Sequence, residues 1–258
     1  LQRVKEQCED AYIFCCTLGY SAYKNGWGVK GMIQTAMGQD EKKLAELRQE
    51  LGEQNCETVQ CDLSVRENVF TLYEKTKNEN IDILINNAGF GAFGDFETVP
   101  LEKELELIDT NITALHILTK LFYIDFMKRN SGYILNVASS AGFMAGPLLS
   151  SYYASKNYVL QLTKAVYEET RRKKKNVYLS AFCPGPVDTG FNDRANVKFA
   201  MKGIKSDFAA KYAIDNMFRK KVIIVPTAKM KLGTFGLRFI SAKTALKIAY
   251  HIQKKKDS

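Results

Sequence analysis

Short apolar runs alternate with longer amphipathic ones along most of the chain, and this alternation restricts the fold more than any other feature. Residues 12–16, 32–36, 58–61, 81–85, 132–137, 177–182 and 221–226 read as strands. Residues 40–51, 65–77 and 101–129, and the run from Tyr152 onward, read as helices, with apolar positions at helical spacing. The 81–85 run, Ile81-Asp82-Ile83-Leu84-Ile85, is nearly continuous in apolar character, as expected of a strand covered on both faces. Strand-then-helix repeated in this way predicts a parallel sheet with helices on both sides: an α/β, Rossmann-like, doubly wound sheet in a single domain spanning residues 1–258.

In such sheets ligands bind beyond the carboxyl ends of the strands. Polar and glycine-rich residues collect at those ends: Asp62, Asn86 to Gly89, Ser139, and Pro184 to Thr189. Further along, Tyr152 and Lys156 lie four apart at the start of a helix, hence on one face and about one turn apart. A free phenol has a pKa of about 10. A fixed ammonium nearby favours the phenolate, which suits Tyr152 to give or take a proton. A packed tyrosine beside a surface lysine is the plainer reading of that pair taken alone.

Composition narrows the partners. With 46 % hydrophobic and 25 % charged residues, the chain can bury a sizeable core, and no apolar run reaches the roughly 18 residues a membrane span needs. The net charge of +9 lies largely in short runs such as 171–175 and 254–256, which usually form solvated loops or tails. Nothing resembles a nucleic-acid-reading module. Cys15, Cys16, Cys61 and Cys183 fall in apolar runs, so free buried thiols are expected. With no signal peptide recognised, this points to the cytoplasm. Two distant histidines, His116 and His251, give no metal-ligand spacing.

Five motifs in order carry a resemblance to the short-chain dehydrogenase/reductase family. They are Asn86-Asn87-Ala88-Gly89, Ile108-Asp109-Thr110-Asn111, Asn136-Val137-Ala138-Ser139, Tyr152-Tyr153-Ala154-Ser155-Lys156, and Pro184-Gly185-Pro186-Val187-Asp188-Thr189. The similarity covers the chain from about residue 40 onward and looks closest to a bacterial branch of reductases. It implies hydride transfer between NAD(P)(H) and a carbonyl or alcohol. In that scheme Tyr152 is the general acid/base, and Lys156 lowers its pKa and holds the nicotinamide ribose. Ser139 orients the carbonyl oxygen, and Asn111 anchors a water in a proton relay to Lys156. Taken singly, Ser139 reads as a hydroxyl closing a turn and Asn111 as a helix kink or buried hydrogen-bonding partner. Asp62, Leu63, Asn87, Ala88, Gly89, Pro184, Gly185, Val187 and Thr189 match the family's cofactor contacts, although Asp62 also suits the cap region of the next helix.

The opening turn departs from the pattern. Thr17 and Gly19 match the family's phosphate-binding turn, but its later glycines are missing and Tyr23 stands in their place. The first β-α-β crossover looks truncated. A degenerate site, a variant turn that still binds, and a shifted reading frame upstream of about residue 38 all fit. A non-catalytic sensor or interaction module is therefore the alternative to the enzyme. Neither acid nor base ends the second strand, but Lys42 and Lys43 follow, which leans the reading to NADP(H) over NAD(H). Residues 190–206 are the expected substrate loop. Residues 234–258 read as a basic amphipathic helix and tail, packed on the domain or on a second subunit in preference to a membrane surface. The resemblance also implies a homodimer or homotetramer.

Overall fold

The structure is a computed structural model that describes residues 13–15, 34–38, 41–51, 56–79, 81–188 and 203–254. Strands β1 (Ile13–Cys15) and β2 (Gln34–Gly38) precede α1 (Glu41–Leu51), β3 (Cys56–Gln60), α2 (Arg66–Thr76) and β4 (Ile83–Asn86). Next come α3 (Leu101–Ile108), a π-helical segment (Asp109–Ala114), α4 (Leu115–Arg129) and β5 (Gly132–Val137). A 3-10 turn (Ser140–Phe143) leads to α5 (Ser150–Arg172) and β6 (Val177–Phe182). The chain continues through β7 (Val187–Asp188), β8 (Ile204–Lys205), α6 (Ser206–Phe218) and β9 (Ile223–Ile224), then α7 (Ala228–Gly236), a second 3-10 turn (Leu237–Phe239) and α8 (Ala242–Lys254).

The main sheet has the order β3-β2-β1-β4-β5-β6-β9, and every pairing is parallel. The chain builds outward from β1 to β3, then returns to place β4 on the other side of β1. That reversal opens the crevice at which doubly wound sheets bind ligands. The strands β7 and β8 form a separate two-stranded sheet.

Alternation along β4 shows why both faces must be covered. Leu84 enters a core with Val69, Leu72, Leu118, Phe122 and Phe126 of α2 and α4. Its neighbours Ile83 and Ile85 enter another with Ala209, Ala213, Ile214 and Met217 of α6. Each such aliphatic side chain gains roughly 1.5–3 kcal/mol from burial, which fixes the strand between two helical layers.

The strands at 132–137 and 177–182 form with the bounds read from sequence. Others shift by one or two residues, and the last contracts to Ile223–Ile224. The connection between β1 and β2, where a truncated crossover was expected, lies outside the described residues. Three assignments change. The expected helix over 101–129 is interrupted by the π-helical segment. The C-terminal stretch is not one helix: a 3-10 turn separates α7 from α8, which restarts where the Ser241 hydroxyl accepts the Thr244 amide. Finally, α6 was not read from sequence at all. Its alanines Ala209, Ala210 and Ala213 are buried along with Ile214, Met217 and Phe218, so its apolar periodicity is blurred.

Candidate active site

Tyr152, Lys156, Ser139 and Asn111 come together beyond the carboxyl ends of β4, β5 and β6. Ser139 follows β5 in extended conformation and caps the 3-10 turn, its Oγ accepting the Ala141 amide at 3.1 Å. The same hydroxyl lies 3.5 Å from the Pro184 carbonyl, to which it donates, and bonds the Tyr152 phenol. Closing a turn and meeting Tyr152 are thus compatible roles for one residue. Ser140, the neighbouring serine, donates its backbone N–H to the Pro184 carbonyl at 2.7 Å. This ties the Pro184-Gly185 segment to the end of β5.

Lys156 is buried, with Nζ donating to the Val137 carbonyl at 2.8 Å and lying 5.8 Å from the centre of the Tyr152 ring. Burial pulls the ammonium down to about 8. Burial also pushes the Tyr152 phenol up to about 12, with Tyr153 adding in the same direction and the Ser139 hydrogen bond opposing both. The phenol is thus favoured over the phenolate at Tyr152 in this structure, and the expected assistance from Lys156 belongs to the proposed mechanism. Desolvation penalises phenolate and ammonium alike, and the lysine directs its proton at a carbonyl oxygen.

Asn111 sits fully buried inside the π-helical segment. Its Oδ1 accepts the Phe90 amide at 3.0 Å, and its Nδ2 donates to the Phe90 carbonyl at 2.9 Å and to Ser155 Oγ at 3.0 Å. Ser155 Oγ in turn donates to the Tyr152 carbonyl at 2.7 Å. The two plainer readings of Asn111 both hold: it marks an irregularity in a helix and is a buried hydrogen-bonding partner. π-Helical turns recur at functional sites because they re-aim single side chains.

Asn87, Ala88 and Gly89 line the turn after β4. A Cβ on Gly89 would sit 2.8 Å from Asn111 Oδ1 and 3.3 Å from Lys156 Nζ, so this backbone passes close over both groups. Gly185 faces the Met230 side chain of α7, and Val187 lies in β7 beside Ile204. Asp62 is occupied locally: its Oδ1 accepts the Ser64 amide at 2.9 Å and the Ser64 hydroxyl at 2.7 Å. It therefore shapes the turn into α2, with Leu63 buried beside it. Thr17, Gly19 and Thr189, and residues 190–202 of the expected substrate loop, lie outside the described residues.

Two supports were not read from sequence. The Asn157 amide donates to the carbonyls of Ala141, Met144 and Tyr153 at 3.0, 2.8 and 2.9 Å, holding the 3-10 turn against α5. Beneath the site, Asn86 Nδ2 donates to Thr119 Oγ1 and Asn136 Oδ1, and Asn136 Nδ2 donates to Thr163 Oγ1. This buried chain links β4, α4, β5 and α5. Asn86 and Asn136 stood in the motifs, but polar residues at strand ends carried no signal for one another. Of the cysteines, Cys61 and Cys183 are buried free thiols, and burial pushes Cys183 up to about 12.

The parallel sheet, its switch point between β1 and β4, and the tyrosine–lysine–serine cluster above β5 define a doubly wound α/β protein of the dinucleotide-binding class. The family model described as short chain dehydrogenase matches residues 21–200. The chain belongs to the short-chain dehydrogenase/reductase family. It is 32 % identical over 137 residues to dehydrogenase/reductase SDR family member 11 of Gallus gallus, covering 51 % of this chain and 54 % of that protein. The chain spans about half the length of such curated relatives. Among solved structures, a short-chain dehydrogenase from Sphingobium yanoikuyae in complex with NADPH aligns with TM-score 0.78 at 23 % identity, over 88 % of this chain and 93 % of that one. A short chain dehydrogenase/reductase from Burkholderia phymatum in complex with NAD aligns with TM-score 0.78 at 20 % identity, over 88 % and 92 %. These likenesses establish the fold.

Proposed function

We propose that the chain is an NAD(P)(H)-dependent oxidoreductase acting on a carbonyl or alcohol, with Tyr152 as the general acid/base. The observation that carries this reading is the convergence of Ser139 and Lys156 on Tyr152 at the carboxyl end of the sheet. The site also fits a dinucleotide's nicotinamide end: the Cβ-free Gly89 leaves backbone close to Asn111 and Lys156, where a ribose would be held. Asn87, Ala88, Gly89 and Lys156 would contact the ribose side, and Pro184, Gly185 and Val187 the nicotinamide side. When bound, the nicotinamide supplies or accepts the hydride.

The protein's own part is proton delivery and orientation. Tyr152, held neutral by burial, carries the proton that a carbonyl oxygen needs as negative charge develops on it. The Ser139 hydroxyl can turn from the Pro184 carbonyl to donate to the same oxygen, stabilising that charge. The proton lost by Tyr152 returns from Lys156, whose lowered pKa suits it to exchange protons near neutrality. Asn111 holds the Phe90 peptide and Ser155 in place, and the water relay expected at Asn111 belongs to this same reading. In the reverse direction Tyr152 acts as the base.

NADP(H) is the preferred cofactor in this reading, because Lys42 lies exposed near the start of α1, just beyond β2. A homodimer or homotetramer is the expected assembly. The deciding experiment is cofactor oxidation across a panel of ketones, aldehydes and fatty acyl carbonyls with NADPH and with NADH. Turnover with NADPH in preference to NADH is the expected result. No turnover with any substrate, joined to no cofactor binding by calorimetry, would favour the non-catalytic alternative.

A further inference from the structure

The last described elements do not pack as a terminal helix normally does. Among the described residues, α7 buries no side chain fully and α8 buries only Ala249 and Gln253. Met230 is half-buried against the core and Ala245 is partly covered, but much of the other apolar surface stays open. Leu232 is 73 % exposed and Phe239 75 %, and Phe235, Ile248 and Ile252 are exposed as well. On α8, Ala245, Ala249 and Gln253 recur every four residues as the inward strip. Leu246 with Tyr250 and Ile248 with Ile252 flank that strip on either side, and all four are exposed. The apolar arc is therefore wider than the surface it covers. Phe235 and Phe239 pack edge to face at 5.2 Å, with the Arg238 guanidinium 5.8 Å over the Phe235 ring. A Cβ added at Gly233 or Gly236 would meet nothing.

Charge singles out the same segment. Residues 216–256 contain eleven Lys and Arg and no Asp or Glu, in a chain whose net charge is +9. The rest of the chain therefore has a slight acidic excess. Lys229, Arg238, Lys243, Lys247 and Lys254 are exposed. The ion pairs among the described residues sit elsewhere, on elements such as α2, α5 and α6. Exposed aromatic and aliphatic groups interleaved with unneutralised cations match the surface of an anionic bilayer, where the apolar groups enter the acyl boundary and the cations meet the headgroups. Pairing this face with the same face of a second copy would set the two cationic segments against each other.

We propose that α7 and α8 form a docking surface for anionic lipid membranes, so that the protein binds peripherally. The test uses the full chain and phosphatidylcholine vesicles with and without phosphatidylglycerol. Co-sedimentation is expected with the phosphatidylglycerol vesicles alone, with release as salt rises. The double variants Phe235→Ser/Phe239→Ser and Lys243→Glu/Lys247→Glu change exposed side chains, and circular dichroism would verify their folding. Each should lower vesicle affinity by at least about tenfold. Absence of sedimentation, equal binding to both vesicle types, or full binding by both variants would overturn the proposal. So would a concentration-dependent dimer that Phe235→Ser/Phe239→Ser dissociates in the absence of vesicle binding, which would assign the face to a second copy.

Discussion

Asn111 grips the peptide group of Phe90 from both sides, accepting its amide at 3.0 Å and donating to its carbonyl at 2.9 Å. The two residues are 21 apart in sequence. Through this pair, the π-helical segment holds the turn after β4 in the position that brings Gly89 over Lys156. Removing the side chain leaves an amide and a carbonyl without their partner in a partly buried turn. We expect Asn111→Ala to lose about 1–3 kcal/mol of stability and to lower kcat more than a distant substitution of equal cost. Urea denaturation beside steady-state kinetics would show it; wild-type values of both would refute the role.

Glycine substitutions should separate by position. An alanine Cβ at Gly89 would lie 2.8 Å from Asn111 Oδ1, and that oxygen is pinned by the Phe90 amide. Gly89→Ala should therefore cost about 1–3 kcal/mol and reduce cofactor affinity. The same change at Gly233 or Gly236, where the new methyl meets nothing, should be neutral or stabilise by about 0.4–1 kcal/mol, since it restricts the unfolded chain. Thermal melts of the three variants provide the comparison, and equal losses at all three would contradict the packing described.

Tyr152→Phe keeps the ring and removes the proton. Turnover should fall by about 10²–10⁴, while cofactor affinity and the melting temperature change little. A variant with wild-type kcat would remove Tyr152 from the mechanism.

Lys156 makes stability depend on pH with a definite sign. Its folded-state pKa of about 8 lies below the ordinary 10.5. Below about 8 both states hold the proton, and the cost of the buried ammonium is fully present. From 8 toward 10.5 the unfolded chain keeps a proton that the folded chain has released, so stability rises with pH. Tyr152 acts oppositely: with a folded value of about 12 against 10, it lowers stability as pH climbs from 10 to 12. Wild type should therefore gain stability relative to Lys156→Met between pH 8 and 10, as read from urea midpoints. A gap that stays constant across that window would show that Lys156 is not held down by burial.

Much of this architecture is written in local pattern. Uninterrupted apolar runs such as Ile83-Leu84-Ile85 demand cover on both faces, so a doubly wound sheet follows from periodicity before any contact is known. The one-turn spacing of Tyr152 and Lys156 and the polar strand ends at Asn86 and Ser139 likewise place the site residues on particular elements. Helical spacing could not reveal the break at Asp109–Ala114, because Asn111 turns inward only to meet Phe90 and Ser155, partners distant in sequence. Nor could it give the balance at Tyr152, because the burial that raises the phenol's pKa comes from the tertiary fold and not from local spacing. The helix α6 gave little signal because its buried stripe is largely alanine, Ala209, Ala210 and Ala213, which contrasts only weakly with the polar side carrying Lys211 and Asp215. The opposite holds for α8. Its amphipathic pattern was plain in sequence, but only the fold shows that Ala249 and Gln253 alone are fully buried, while Ile248 and Ile252 remain exposed. Local spacing fixes which residues share a face, and the tertiary contacts determine what, if anything, covers it.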